Sequence, residues 1–424
     1  MQSTTASAPA NNLKHRFFQG HQYAQSYTLP STTATDNGLP THETIKDFVT
    51  NFVSSEQFLV FPVLSLQRFL YTTLPLAQVD TIVGIERQRG VISAKACVRA
   101  ILVLGDVLGH NVTEVGPTEL QNYVREIEDS LPVMLQEMTI DGLESLTMLI
   151  IYKYFVGDLR SASFLISFAT RMIFQLGAHI PPPTAERYDK YKITHHMRDL
   201  FWVCYCMDKD LCHRIAKPPI INDAHCELSF PTNYAEMQNS NILSLGQLPN
   251  FRPTTVPLYP WDIRLSLIKS RIYEDLYSMS ASIQPEAEVL RRIRYLDEDL
   301  EVWRLTLPLD HRPTLSFLDK TPVDEQTNTQ AIMLRLSYHH SVILIHKARC
   351  RLIGPVPGLV DTGYEANFQL LVDASKSILT YLEKALPVVA HECFWYVNLP
   401  CLHIADFLHF QLLTVHRGLF SFIP

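Results

Sequence analysis

No two cysteines in this chain are spaced C-x-x-C. The eight stand apart, at Cys97, Cys204, Cys206, Cys212, Cys226, Cys350, Cys393 and Cys401. That scatter argues against a disulfide framework and offers no structural zinc site, which needs clustered ligands. Glycine is scarce: 15 of 424 residues is about half of the ~7% average usage, which favours long helices over many tight strand turns. Long apolar runs are missing too. The best stretch, Met148 to Val156, is broken by Lys153, and the polar start MQSTTASAPANN has no apolar h-region. These features predict a soluble intracellular protein. Excess positive charge is absent, and a net charge of −7 makes the whole chain a poor electrostatic partner for a phosphate backbone. Arg291, Arg292 and Arg294 sit at helical spacing and read as a solvated face. The signatures of common catalysts are missing as well: no G-x-S-x-G elbow, no P-loop lysine and no G-x-G-x-x-G after a strand.

What is present is a large apolar complement. Apolar residues make up 47% and charged residues 19%, a globular balance able to fill a sizeable core. Residues 1–36 are rich in Ser, Thr, Ala, Asn and Pro without periodicity and read as a disordered leader. Beyond them, helical spacing recurs with no strand pattern. Ile45, Phe48, Val49, Phe52 and Val53 share one face. Further helices are expected near Leu64 to Tyr71, over Ala94 to Leu108, Leu143 to Phe155, Ala162 to Leu176, Trp261 to Ser278, Glu286 to Leu305, Ala331 to Leu352 and Asp373 to Leu386. Gly177 fits a helix C-cap, and His179 just beyond it could bond the last carbonyls. Pro181-Pro182-Pro183 reads as a stiff spacer. Long loops are expected near 216–256 and 309–328, and the tail from Phe394 to Phe422 is strongly apolar. The fold class is all-α, a large array of packed antiparallel helices.

The array is organised around residues 197–230. Leu200, Cys204, Met207, Leu211 and Ile215 recur on one helix face, while Phe201, Tyr205 and Cys212 add a second apolar stripe. The helix should therefore be covered on more than one side. Lys217-Pro218-Pro219 must end it, because proline lacks the amide hydrogen and pushes its predecessor out of the helical region. Asn222 and Asp223 offer side-chain oxygens for the turn that follows.

This stretch resembles the signature of the fungal-specific transcription factor domain, the middle homology region of fungal zinc-cluster regulators. The family's R-x-x-FW-x-x-Y-x-x-D helix is matched by Arg198, Phe201, Trp202, Tyr205 and Asp208. Its G-R-P-P-x-I-x-D loop is matched by Pro218, Pro219, Ile221 and Asp223, with Ala216 for glycine and Lys217 for arginine. Ala216 would be strained if that position needs a positive φ. Ala169, Arg171, Leu176, Gly177 and His179 resemble another family pattern, as does the close at Trp303, Arg304, Leu307 and Pro308. Together the motifs span roughly residues 38–415. The resemblance implies one regulatory domain over residues 37–424 of a nuclear transcriptional regulator, with secondary-metabolite gene clusters within the family's range. It also implies a possible effector pocket near Trp202, Tyr205 and Trp303, the last otherwise a core anchor.

The zinc-cluster cysteines are absent, so no cofactor is expected. The chain alone is not expected to bind DNA specifically. It would act through a protein partner, a full-length regulator or a second copy of itself, or its gene model lacks a 5′ exon. A membrane partner is not expected. Two alternatives stay open: a ligand-sensing or heterodimerising module without its own transcriptional output, and, least favoured, a helical enzyme. The histidines give no metal pattern. His339, His340 and His346 lack an i, i+4 pair, His195 with Asp199 lacks a third ligand, and His391 and His403 lie among apolar residues. Cys204, Asp208 and Cys212 share a helix face and read as buried packing, with Asp208 expected to pair with Arg214, Arg198 or a neighbouring helix.

Overall fold

The computed structural model describes residues 38–79, 89–110, 115–181, 193–244, 257–314, 329–350 and 362–385. The expected leader over 1–36, the Pro181-Pro182-Pro183 spacer beyond its first residue, most of the 309–328 loop and the apolar tail with His391 and His403 lie outside them. All the helices belong to one unit, Thr41–Pro424. Among the described residues there is no strand, so the all-α expectation holds. No described helix is long and apolar enough to cross a membrane.

Helix α1 (His42–Val53) starts at Thr41, whose hydroxyl accepts the Thr44 amide, and it buries Ile45, Val49 and Phe52. A short α2 (Glu56–Val60) leads into an extended link. The next element is composite: α3 (Leu66–Arg68) widens into a π-helical turn (Phe69–Thr73) and resumes as α4 (Leu74–Ala77). Pro75 follows the wide turn and has no amide hydrogen for the carbonyl four residues back. Helix α5 (Val91–Val107) is buried on nearly every side. A Cβ at Gly105 would fall 2.2 Å from Phe48 Cζ, so glycine permits the close approach of α1.

Helices α6 (Pro117–Glu137), α7 (Ile140–Phe155) and α8 (Leu159–Leu176) follow as successive hairpins. Pro117 occupies the first turn of α6, where its missing amide costs nothing. Helix α8 ends as predicted at Gly177, with φ +75° and an Ala178 amide reaching back to the Ile173 carbonyl. His179 departs from expectation. Its ring packs edge-on to Phe174 at 4.8 Å and its buried Nδ1 caps no carbonyl.

Helix α9 (Ile193–Ile215) is the organising stretch. It is followed by α10 (Tyr234–Ser244), α11 (Ile263–Leu276), a single turn α12 (Met279–Ser282), α13 (Glu286–Leu305), α14 (Thr329–Cys350) and α15 (Thr362–Ala385). Packing runs through the series. α5 meets α6 and α7, and α9 lies against α7, α8 and α11. α11 meets α13 and α14, and α14 meets α15. On α13 the buried positions Val289, Ile293, Leu296, Leu300 and Trp303 repeat every three or four residues, one apolar stripe facing α11 and α14.

The structure corrects the expected loop over 216–256, since α10 lies inside it. Its inward positions are Tyr234, Gln238, Asn241 and Ile242. Two of the four are amides, which hides the helical period from an apolar count. Gln238 Nε2 donates to the Pro257 carbonyl at 2.7 Å, so burial there is by hydrogen bonding.

Helix α9 stops where predicted, in a left-handed cap. Ala216 has φ +52°, and the Lys217 amide closes on the Cys212 carbonyl at 3.0 Å. A side-chain Cβ in that conformation costs on the order of 1 kcal/mol, and Ala216 is exposed, so no packing compensates. Ala216→Gly should raise stability by roughly 0.5 kcal/mol, the strain relieved less the entropy that glycine adds to the unfolded chain. Chemical denaturation of the two proteins checks this; a destabilised variant would sink the strain argument.

Candidate functional site

Three consecutive charged residues on α9, Asp208, Lys209 and Asp210, are 3%, 1% and 1% exposed. Charges so deep require partners. Successive helical residues point about 100° apart, so each charge addresses a different neighbour. Asp208 accepts the backbone amides of Ile220 and Ile221, both at 2.9 Å. This corrects the expected pairing with arginine: the carboxylate caps the return loop. The Lys209 ammonium donates to the Ile221 carbonyl and lies 3.1 Å from Asp223 Oδ1 and 3.6 Å from Asp208 Oδ2. Asp210 turns the other way. Its Oδ1 accepts Lys269 Nζ of α11 at 2.7 Å, and its Oδ2 accepts the Tyr154 hydroxyl of α7 and Arg214 Nε. Burial pushes the Asp210 carboxyl up, but Arg214 and Lys269 outweigh it and hold it below the usual carboxylate range.

Arg198, one end of the predicted motif, does parallel work. Its guanidinium lies over the rings of Phe201 and Trp202, 4.4 and 4.7 Å from the centroids. It donates to the His179 carbonyl at 2.9 Å and to the Glu227 carbonyl. The α8 turn and the far end of the return loop are thus pinned to the start of α9. Trp202 meets Tyr205 edge-on at 5.5 Å, and the Tyr205 hydroxyl donates to Asp223 Oδ1 at 3.0 Å. Asn222 accepts the Ala224 amide at 2.9 Å, as its position suggested. Pro218 is exposed and Pro219 half-buried at the helix stop.

Six of the nine predicted positions therefore converge: Arg198, Phe201, Trp202, Tyr205, Asp208 and Asp223. Trp303 is a buried anchor whose polar contact lies elsewhere. Its Nε1 donates to Asp262 Oδ2 at 3.1 Å, beside Arg264 Nη2 at 2.7 Å from the same oxygen. Asp262 in turn caps α11 by accepting the Arg264 amide. Within the α9 cluster one buried donor, Trp202 Nε1, has no partner among the described residues.

Sequence reading missed a second buried cluster, because its members come from separate segments. Asp141 stands in the first turn of α7, where an acidic residue is ordinary, and Glu144 follows three residues on. Asp141 Oδ1 lies 2.5 Å from Arg68 Nη1 and 2.6 Å from the Thr73 hydroxyl. Glu144 meets His196 Nε2 at 2.7 Å and the Cys97 thiol at 3.5 Å. Ligand atoms of Cys97, Asp141 and Glu144 all lie within 4.8 Å of one another, a spacing compatible with a metal ion. Arg68 Nη1, also 3.5 Å from Glu144 Oε2, already supplies the positive charge that an ion would bring. Burial, then Glu144 and Asp141, push the Cys97 thiol well up, which keeps it protonated. The group reads as an ion-pair junction joining the α3–α4 element to α5, α7 and α9.

His340 on α14 was also passed over, dismissed as a metal ligand. It is 1% exposed, and neither ring nitrogen has a partner among the described residues. Burial, then the nearby Arg214 and Lys269 cations, hold it well below the ordinary histidine range. Burial likewise holds His213 and His339 down to about 4.

Residues 135–305 match the family described as the fungal specific transcription factor domain. The match runs from the last turn of α6 to the end of α13, narrower than the 38–415 span of the motifs. The chain is 28% identical over 186 residues to an ABC-transporter-regulating transcription factor of Aspergillus fumigatus, covering 43% of this chain and 19% of that protein. It is 22% identical over 272 residues to the Fusaridione A cluster transcription factor of Fusarium heterosporum, covering 62% and 48%. Against Pyrimidine pathway regulatory protein 1 of Saccharomyces cerevisiae it is 22% identical over 252 residues, covering 57% and 25%. The chain thus spans between about a fifth and a half of the length of these relatives. No solved structure gives a significant match.

Two outcomes follow from the buried charges. Asp210→Ala leaves Lys269 and Arg214 without their carboxylate and should cost about 3–5 kcal/mol, read by denaturant titration; a loss below about 1 kcal/mol would contradict the assigned pairing. The second concerns acid. His213, His339 and His340 stay neutral in the folded chain below the ~6.5 at which they protonate when unfolded. As pH falls from 6.5 towards 4 the unfolded state binds protons that the folded state does not, and stability drops by up to about 1.4 kcal/mol per pH unit for each histidine. Asp199, pushed up to about 6 chiefly by burial, opposes this, since its folded form takes a proton early. Asp106, Asp141 and Asp208, likewise raised by burial, oppose it too, while His110 adds to the loss, so the histidine contribution is read as a difference from the parent. Between pH 7 and 4.5 the thermal midpoint of His339→Gln should lose ground less steeply than that of the parent; an identical slope in the variant would count against a neutral buried His339.

Proposed function

We propose that this chain is the regulatory part of a fungal transcription factor controlling a defined gene set, with a secondary-metabolite gene cluster as the candidate target. The observation that carries the reading is the transcription factor domain over residues 135–305. Support for the narrower target comes from a relative named for the Fusaridione A cluster. The α9 site favours regulation over catalysis, because its charged groups engage backbone amides, carbonyls and one another, leaving little to activate a substrate.

On this reading the protein acts in the nucleus. The 424 residues hold no C-x-x-C pair and carry a net charge of −7, so we infer that DNA is contacted by another segment. That segment belongs to a partner regulator, to a second copy with further sequence, or to a longer form of this chain. A small-molecule effector is a second reading. It is favoured by the buried, unpartnered Trp202 Nε1 beside Tyr205.

Deleting the gene and measuring transcripts genome-wide tests the proposal. A set of genes, neighbours first, should change together and recover on complementation. Unchanged transcripts under conditions of expression would overturn it. In gel shifts the purified 424-residue chain should show no sequence-selective DNA binding, and a selective shift would refute the need for a further DNA-binding segment.

A further inference from the structure

Helix α8 buries Ala162, Leu165, Ile166, Ala169, Met172 and Ile173, the side that packs on α7 and α9. Its outward side is not simply polar. Arg160, Phe164, Phe168 and Arg171 follow at intervals of four, four and three residues, and at about 100° per residue they fall within an arc of about 80°. Phe164 is 64% exposed. The half-buried Phe168 meets it edge-on, with the ring centroids 5.0 Å apart. Both arginines are exposed, and neither has a hydrogen bond or ion pair among the described residues. The other residues on this side are Ser167 and Gln175, so the face carries no carboxylate. The nearest one along the chain, Asp158, accepts the Ser161 amide at 3.2 Å and lies 3.8 Å from Lys153. A lone exposed apolar side chain is ordinary. Here an aromatic pair is bracketed by two positive charges that nothing on the face balances. At a rise of about 1.5 Å per residue, the two arginines stand about 16–17 Å apart along the axis.

We propose that the outward face of α8 docks an acidic amphipathic helix of a partner protein. The aromatic pair supplies the apolar contact, and each guanidinium takes a carboxylate, the group its planar fork matches best. Spacing defines the occupant. One helix reaches both arginines when its two carboxylates lie eleven residues apart, with apolar side chains four and seven residues after the first, all on one face. That pattern reads the same in either direction along the partner. A nucleic acid fits less well. Two cations so far apart are sparse against a duplex that carries one charge per about 1.7 Å, and the net charge of −7 opposes its approach. The docking chemistry stands apart from the regulatory reading above, which supplies only a use for the partner.

The test uses the full 424-residue chain and a fluorescein-labelled, end-blocked helical peptide. The peptide has glutamates eleven residues apart, leucines four and seven residues after the first, and alanine and glutamine elsewhere. Its anisotropy should rise saturably with protein, and unlabelled peptide should reverse the rise. Phe164→Ala should weaken binding at least tenfold, and Arg160→Glu combined with Arg171→Glu should abolish it. All three positions are exposed, so thermal midpoints should stay at the parent's value. A peptide with lysine in place of both glutamates should bind the doubly reversed variant and not the parent, a readout that loss of folding cannot produce. Four results would each overturn the proposal: no saturable binding up to about 1 mM peptide, unchanged affinity in either variant, equal binding of the lysine peptide to the parent, or binding of a labelled single-stranded oligonucleotide where the glutamate peptide does not bind.

Discussion

The burial of Asp208, Lys209 and Asp210 in the middle of α9 is the constraint on which the surrounding structure depends. Three adjacent full charges cannot be removed from water unless each finds counter-charge or hydrogen bonds in its own direction. The helix sends one carboxylate to the amides of Ile220 and Ile221, the ammonium to the Ile221 carbonyl and Asp223, and the other carboxylate to Lys269 and Tyr154. These partners lie in a loop and on two other helices. Apolar residues of similar volume would often give equal or greater stability in such a place. What the ions supply here is geometry, because a displaced loop or a rotated α11 leaves a charge unmatched.

The return loop shows how local and long-range restraints combine. Helix α9 must end sharply for the chain to double back, and the left-handed Ala216 followed by Pro218 and Pro219 achieves this. A turn alone would leave the following residues unrestrained. Asp208 and Lys209 grip the near part of the loop, and Arg198, almost three helical turns earlier, grips the far part through the Glu227 carbonyl. The same guanidinium also takes the His179 carbonyl at the end of α8. Two points on one rigid helix thus fix a segment of more than ten residues that contains little regular structure of its own.

Much of this was legible in the amino-acid order, and the boundary of what was legible has a physical explanation. Apolar period located α9, α11 and α13, and the proline pair and Gly177 located stops, because these signals act within a few residues. The partners of Asp208 were not legible. A carboxylate on a helix face pairs as readily with an arginine as with loop amides, and only the path of the loop decides. Helix α10 was hidden because Gln238 and Asn241 fill inward positions where an apolar residue is expected. The Arg68–Asp141–Glu144–His196 junction was hidden for another reason: its members are separated by long stretches of chain and carry no spacing rule at all. Of the nine motif positions six do meet, yet Trp303, read with Trp202 and Tyr205 as a pocket, turns its donor to Asp262, a pairing that depends on how α11 packs against α13.

On the regulatory reading proposed above, this division bears on where specificity resides. Residues that recur as a family motif here bind one another and the backbone, so the motif is a signature of how α9 is held in place. Proteins that share it can then differ in what they respond to without disturbing the scaffold.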